Sequence, residues 1–377
     1  MPMRRVPLPP DRDPGDLVDE AVAALRAGRL LVLPSETVYG FAVDPRNPAA
    51  VEQVRRMTGR APGTALTLHL ADRDALDAMV PPPPRRVRRL LERYWPGPLT
   101  AVLPGADGGG VRLRVPANDF TRAVIRAAGT GIHLVHAAPA DRGLLCGAED
   151  FAAVFADAID LLVDAGPPPL AQLSTVVRLV PAGPTVPGPR TAPTSAEFGE
   201  LELLRVGTLS AQDVWAAAAR RILFVCTGNT CRSPLAAALA RRATARLLGT
   251  SDERVLAHGL SFESAGVAAF PGEPASRGSL AAAAEVGIAL DEHRSAALDR
   301  EQIEGAARVF CLGPSHLAAA RALAPQRAAD IELLDPGGAG IPDPFGGALD
   351  DYRRTRAAIE RALDRRLDEI FAAIAAG

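Results

Sequence analysis

The chain has 377 residues, enough for two domains, and 48% of them are hydrophobic, enough to fill sizeable cores. A formal charge of −2 argues against a basic duplex-binding domain, and all 42 basic residues are arginine, a bias that reads as coding composition. The four scattered cysteines exclude a disulfide framework and suit a reducing, cytoplasmic compartment. No apolar run is long enough to cross a bilayer, and Met1 to Gly15 lacks the apolar centre of a signal peptide, so no membrane partner is expected.

In chain order, Asp16 to Ala27 reads as a helix with Leu17, Ala21 and Leu25 on one face. Leu30 to Leu33 is a short buried strand, Val51 to Met57 a helix, Thr64 to Leu70 a strand and Asp72 to Met79 a helix. Pro81 to Pro84 breaks the chain before the helix Arg85 to Tyr94. Arg85, Arg86, Arg88, Arg89 and Arg93 on that helix read more simply as a solvated face than as an RNA contact, since no aromatic platform accompanies them. Leu99 to Leu103 and Val111 to Val115 are strands around a turn at Gly108-Gly109-Gly110, and Val176 to Val180 is another. His133 and His136 fall on a strand, where residues three apart face opposite sides, and no third ligand is near, so a metal site is not expected. Pro181 to Thr194 is a proline-rich loop. Ser210 to Asp213 has the pattern of a capping box before a helix over Val214 to Arg220.

That helix closes a first domain, residues 1–219, and a second follows over 220–377. The second reads as strand 221–226, a helix, a strand near 308–312, helix 315–323, strand 331–334 and a last helix from Ala348 to Ala375. Strand–helix alternation implies a doubly wound parallel sheet covered on both faces, with ligands at the carboxyl end of its first strand. Both domains are therefore expected to be α/β.

That carboxyl end carries the chain's most specific chemistry. Ile222-Leu223-Phe224-Val225 runs into Cys226-Thr227-Gly228-Asn229-Thr230-Cys231-Arg232-Ser233-Pro234, and an alanine-rich helical segment, Leu235 to Leu248, runs out. In a strand–loop–helix unit the loop amides, here from Thr227 to Cys231, and the helix N-terminus converge on one spot and favour an anion. Cys226 then sits beneath the anion, where the amides, the helix dipole and a guanidinium favour a thiolate. Arg232 can fork two phosphate oxygens from the side, and Ser233 can hydrogen-bond the sulfur. Gly228 and Asn229 tolerate the positive φ of a loop wrapped around an anion, and Pro234 suits the first helical turn. A thiolate under a clamped tetrahedral phosphate is the arrangement of a phosphatase that forms a phosphocysteine. Cys146 has no evident partner and Cys311 ends an apolar strand. Cys231 either traps an oxidised Cys226 as a disulfide or fills the loop.

This stretch resembles the low-molecular-weight protein-tyrosine phosphatase family, whose loop reads Cys-x5-Arg-Ser. The family's second signature is an aspartate in a late Asp-Pro loop, matched here by Asp343-Pro344-Phe345-Gly346. Ser264-Ala265-Gly266, Phe270-Pro271-Gly272 and His293-Arg294-Ser295 match between them, so the resemblance covers about residues 220–377. It implies a phosphorylated protein substrate and no cofactor. Cys226 would be the nucleophile, Arg232 the clamp, Asp343 the general acid and then base, and Phe345 a wall of the substrate pocket. Arginine-directed members of the family are similar to this chain in carrying threonine at Thr230, where tyrosine-directed members usually carry an aliphatic residue. Gly346 stands where those members tend to have a second aromatic wall. Phosphoarginine is therefore expected ahead of phosphotyrosine, with both open.

In the first domain, Pro34-Ser35-Glu36-Thr37-Val38-Tyr39-Gly40 resembles the Pro-Thr-Asp/Glu-Thr-x-Tyr-Gly motif of YrdC-like domains, which include threonylcarbamoyl-adenylate synthases. Trp95-Pro96-Gly97-Pro98-Leu99-Thr100, Arg114-Val115-Pro116, Ser174-Thr175-Val176-Val177 and Arg205-Val206-Gly207 match further blocks, over about residues 15–219. The resemblance implies a twisted α/β sheet with a concave face, a role in transfer-RNA modification, and a nucleotide such as ATP, or double-stranded RNA, as ligand. Thr37, Tyr39, Arg60, Arg114, Ser174 and Arg205 are the residues it marks for the nucleotide. The family's Lys-x-Arg-Pro reads Thr58-Gly59-Arg60-Ala61 here, a later lysine reads Thr64, and Ser-Ala-Asn-Pro reads His136-Ala137-Ala138-Pro139. Of that cationic cluster only Arg60 is left, so synthase activity is expected to be weak or absent, with binding or scaffolding retained. The alternative is a synthase, or a binding protein, in which this domain carries the main function.

Overall fold

The computed structural model describes residues 3–8, 14–105, 108–180 and 200–375. The proline-rich segment 181–194 lies outside them. The described residues form two compact units, the first ending at Ala217 and the second beginning at Ala218.

The N-terminal unit is built on ten strands: β1 (Arg4–Pro7), β2 (Leu31–Leu33), β3 (Gly40–Val43), β4 (Leu68–His69), β5 (Leu99–Pro104), β6 (Gly110–Arg114), β7 (Ile132–Val135), β8 (Leu161–Asp164), β9 (Thr175–Val180) and β10 (Glu200–Arg205). They make one mixed sheet in the order β1-β8-β2-β3-β7-β4-β6-β5-β9-β10. Helices α1 (Gly15–Arg26), α2 (Pro48–Met57), α3 (Arg85–Tyr94), α4 (Asp119–Ala128), α5 (Ala148–Phe155) and α6 (Ala211–Ala218) accompany it. Alternation along the strands sorts the side chains onto two faces. Leu31 and Leu33 pack with Leu161 and Val163 under α1 and α4, while Val32 and Leu162 turn to Phe41 and Phe151 on the other face.

Two expected elements shrink. Of Thr64 to Leu70 only Leu68–His69 pairs as a strand, and Asp72 to Met79 supplies a single 3-10 turn, Asp74–Leu76. Leu76 is the one buried residue of that turn, and so short a segment with one apolar anchor does not repay helix nucleation. The strand β6 already begins at Gly110, and α4, α5 and β8 lie in stretches where no element was expected. The capping box at α6 forms: Ser210 Oγ accepts from Asp213 N at 3.1 Å, and Asp213 Oδ2 accepts from Ser210 N at 3.2 Å. The helix nevertheless stops at Ala218, because Arg220 already pairs in the next strand.

The C-terminal unit has four strands, β11 (Arg220–Cys226), β12 (Leu260–Gly266), β13 (Ala306–Cys311) and β14 (Ile331–Leu333), in the order β12-β11-β13-β14. All neighbours are parallel. Its helices are α7 (Arg232–Leu247), α8 (Arg277–Ala284), α9 (Arg300–Gly305), α10 (Pro314–Leu323) and α11 (Leu349–Ala375). Ile222 and Phe224 face a core with Leu235, Leu239, Ile359 and Leu363, and Leu223 and Val225 face a second with Val309, Cys311 and Ala320. Both faces are therefore covered, as a parallel sheet requires. The first strand in sequence, β11, lies between β12 and β13. The chain thus winds both ways from it, and its carboxyl end is the switch point where doubly wound sheets bind ligands. Among the described residues no helix is long and apolar enough to cross a membrane.

Candidate active site

The loop from Cys226 to Arg232 joins β11 to α7 at that switch point. Its carbonyls are turned outward and held there. Cys226 O accepts from Val267 N at 3.0 Å, and Thr227 O from Ala268 N at 2.9 Å. Asn229 O accepts from His293 Nε2 at 2.7 Å, Thr230 O from Ser276 N at 2.8 Å, and Cys231 O from Ser279 Oγ at 3.1 Å. In a planar trans peptide the N–H points opposite to the C=O. With the carbonyls pinned outward, the following amides face the inside of the loop, which makes it an anion nest.

At the floor of the nest Cys226 is 2% exposed, and its Sγ lies 3.0 Å from Ser233 Oγ. That hydroxyl accepts from Asn229 Nδ2 at 2.8 Å and has two takers for its one proton, Cys226 Sγ and Ala265 O at 3.3 Å. An ionised sulfur is the stronger acceptor, so Ser233 supports a thiolate. Asn229 holds the left-handed bend with φ +54°. Its amide donates to Ser264 Oγ at 2.9 Å, and its Oδ1 accepts from Ala296 N at 2.8 Å. These bonds explain an asparagine here better than its tolerance of positive φ alone.

Arg232 is buried at the start of α7 and reaches across the mouth. Its Nη2 donates to Asp343 Oδ2 at 2.6 Å and approaches Thr227 Oγ1 at 3.4 Å, while Nη1 meets Ile341 O at 3.4 Å. Asp343 Oδ1 accepts from Phe345 N at 3.3 Å, which shapes the turn. The ring of Phe345 is exposed, as is that of Phe270 on the loop after β12. Cys231 turns its sulfur to Ser276 Oγ at 3.3 Å and Tyr352 Oη at 3.9 Å, which is a loop-filling environment. Burial pushes the Cys311 thiol up to about 12, as befits a core residue.

The N-terminal unit holds a cavity of about 330 Å³. Thr37, Tyr39, Arg60, Arg114, Ser174 and Arg205 all line it, together with Arg112, His69 and His136. Arg60 Nη1 donates to His136 O at 3.0 Å, and its Nη2 lies 3.2 Å from His136 Nε2. Arg205 donates to Ser174 O at 3.0 Å, and Ser174 Oγ meets Thr100 Oγ1 at 2.9 Å. Arg114 Nη2 bonds Glu36 Oε1 at 2.6 Å and Thr37 Oγ1 at 2.8 Å. Among the described lining residues none is acidic. Burial lowers the pKa of Arg60, Arg112 and Arg205, followed by repulsion from Arg112 on Arg60, from Arg178 on Arg112, and from Arg112, Arg114 and Arg60 on Arg205. Tyr39 spends its hydroxyl outside the cavity, on Gly166 O at 2.7 Å and Ala165 N at 2.8 Å. Arg60, Arg114 and Arg205, marked from the sequence, thus converge on the cavity with a fourth arginine, Arg112, that was not anticipated. His133, on β7, bonds Thr67 O at 3.1 Å through Nδ1, and His136 lies just past the strand.

Residues 221–374 match the low molecular weight phosphotyrosine protein phosphatase family, and residues 23–187 match the Sua5–YciO–YrdC family, described as Telomere recombination. A protein-arginine-phosphatase of Geobacillus stearothermophilus is 36% identical over 40% of this chain and 95% of its own length. A threonylcarbamoyl-AMP synthase of Halorhodospira halophila is 31% identical over 39% of this chain and 81% of its own length. The chain belongs to both families. A second threonylcarbamoyl-AMP synthase, from Bacillus subtilis, is 31% identical over 42% of this chain, which spans only 49% of that relative's length.

In the phosphatase unit, the supports of the loop are what sequence reasoning left without a role. Ser264, Gly266 and His293 stood in matching blocks, and His316 in none. The intermediate blocks were the available signal, because residues that match between two signatures and carry no periodic pattern are candidates for holding the signatures in place.

Proposed function

We propose that the C-terminal unit is a cysteine-dependent protein phosphatase that works through a phosphocysteine. The observation that carries this reading is the convergence of Cys226 Sγ, Ser233 Oγ, the Arg232 guanidinium and the Asp343 carboxylate on one amide-lined loop. Cys226 attacks phosphorus while Asp343 protonates the leaving atom, and Asp343 then deprotonates the water that releases phosphate. Arg232 and the inward amides stabilise the equatorial oxygens. Because they supply the positive charge, EDTA is expected to leave the rate unchanged. Hydrolysis of para-nitrophenyl phosphate by wild type and Cys226→Ser tests the mechanism, and substantial activity in the variant rejects it.

For the substrate, phosphoarginine is favoured over phosphotyrosine. Thr230 places a hydroxyl beside the loop where an aliphatic side chain could only pack, and Gly346 leaves the site near Asp343 open to water. The similarity to a protein-arginine-phosphatase supports the same choice. Thr230→Ile is expected to shift the ratio of kcat/KM on phosphoarginine and phosphotyrosine peptides toward phosphotyrosine. An unchanged ratio removes Thr230 from the specificity argument.

The cationic cavity favours a second activity-bearing role, for the N-terminal unit: binding of a nucleotide such as ATP, with threonylcarbamoyl-adenylate synthesis weak because Thr58, Thr64 and Ala138 stand at family positions for charged and amide groups. Calorimetry with millimolar ATP tests binding. Robust threonine-dependent pyrophosphate release would make this unit a working synthase instead.

A further inference from the structure

His316, in the first turn of α10, is 3% exposed. Its Nε2 lies 2.9 Å from Thr227 Oγ1, and its Nδ1 is buried without a hydrogen-bond partner. Thr227 Oγ1 also lies 3.4 Å from Arg232 Nη2, the nitrogen that holds Asp343. A guanidinium N–H can only donate, so Arg232 takes up one lone pair of the hydroxyl. The imidazole has two neutral tautomers, and they have opposite consequences for Thr227. With the proton on Nδ1, a buried N–H is left without an acceptor and the Thr227 proton is spent on Nε2. With the proton on Nε2, Nδ1 keeps only a bare lone pair and Thr227 accepts from both neighbours. Buried unmet donors are rarer than buried unmet acceptors, so the second arrangement is the stable one. A doubly protonated ring would add the same orphan N–H beside a guanidinium. Burial and then Arg232 hold the His316 pKa below its ordinary value, and Asp343 only opposes them.

With both acceptor positions of Thr227 filled, its own proton is the one it has left to give. We propose that His316 is a positioning residue of the phosphate site, acting through Thr227 to aim a hydroxyl proton at the phosphoryl group that Arg232 clamps. The catalytic consequence rests on the phosphatase reading; the tautomer does not.

Two measurements on the full chain separate the two. The first is hydrolysis of para-nitrophenyl phosphate by Thr227→Val, His316→Leu, the double variant and His316→Gln. Loss of one donor to a transition state lowers kcat by roughly 10²–10³-fold, so each single variant is expected to fall in that range. KM should move by less than about threefold, since the donor acts on the transition state. The double variant should lose no more than the worse single variant, because both remove one device. Glutamine can restore the donor, so His316→Gln should recover most of the rate. Losses that multiply, or a glutamine variant as poor as leucine, overturn the proposal. The second measurement is nitrogen-15 NMR of the histidine-labelled chain at pH 7, with the His316 signal assigned by its disappearance in His316→Gln. A neutral ring protonated on Nε2 is expected, and a proton on Nδ1 overturns the proposal whatever the activity. If wild type shows no Cys226-dependent hydrolysis, the phosphatase reading falls and takes the catalytic role of His316 with it, while the NMR result still decides how Thr227 is held.

Discussion

Arg232 cannot hold Asp343 and a phosphoryl group with the same N–H. In the structure its Nη2 is spent on the Asp343 carboxylate at 2.6 Å. The pair is lopsided, with the arginine side chain 9% exposed and the aspartate 49%. Water reaches the carboxylate readily, so its release costs little, while the guanidinium stays fixed by its burial. On the proposed mechanism an arriving phosphate competes with Asp343 for the Nη2 N–H, and release of that bond frees the carboxyl to turn toward the leaving atom. This competition gives Asp343→Asn two effects of opposite sign. Turnover is expected to drop by ~10²–10⁴-fold, the usual worth of a general acid. Inorganic phosphate should at the same time become a tighter competitive inhibitor, since a neutral amide competes less for the guanidinium. An inhibition constant that stays the same would mean that the Arg232–Asp343 bond does not oppose substrate. Arg232→Ala should abolish turnover altogether, because the transition-state clamp is lost.

At the scale of elements, the loop from Cys226 to Arg232 is held closely against the end of β12. Gly266 ends that strand so close to the loop that a Cβ would lie 2.5 Å from Thr227 O and 2.8 Å from Asn229 N. Both contacts are backbone and cannot rotate aside. Gly266→Ala is therefore expected to push the loop out of register with Arg232, lowering kcat/KM by at least about tenfold and lowering Tm as well. Retention of full activity would show that the loop tolerates displacement. This dependence also explains what could be read beforehand. Cys226 to Ser233 and Asp343 stood out because a strand, a glycine-bearing loop and a helix start are contiguous, and Asp-Pro is a local motif. Gly266 and His293 act by close approach and by a bond to a distant carbonyl, neither of which leaves a periodic trace. The strand β12 itself alternates buried Leu260 and Phe262 with half-buried Ser261 and Glu263, a readable pattern that was passed over. By contrast α8 and α9 are short, with few buried residues, and offer little periodicity to find.

The two units differ in how they store charge. The C-terminal unit pairs its buried site arginine, Arg232, with Asp343, whereas the cavity of the N-terminal unit gathers Arg60, Arg112, Arg114 and Arg205 around His136, with Glu36 committed to Arg114. Sequence reading saw the lost lysines and missed Arg112, because a residue's convergence on a concave sheet face is a property of sheet order and not of local spacing. The excess has a consequence for stability. Burial, then Arg60, Arg205 and Arg112, bring the His136 pKa from its ordinary 6.5 to about 4. Burial also lowers His69 and His133 of the same unit. Each folded pKa lies below the unfolded one, so as pH falls the unfolded chain binds protons first. Stability is therefore lost between about pH 6.5 and about pH 4. Asp44 and Asp164 act in a lower window: their pKa values are depressed, and their contribution disappears only as pH falls below the ordinary 3.8. The expected outcome is a Tm of the N-terminal unit that declines steadily with acidification through the histidine window, before the carboxylates take part. His136→Gln should lessen that decline, since it removes one of the three histidines of this unit whose folded pKa is depressed. An anion in the cavity should act in the opposite direction by raising the His136 pKa, so ATP should protect more at pH 5 than at pH 7 and bind with proton uptake. Calorimetric scans of wild type and His136→Gln across this range, with and without ATP, check both halves. A Tm indifferent to pH in wild type, or an equal slope in the variant, would show that the arginines around His136 are compensated by some other charge.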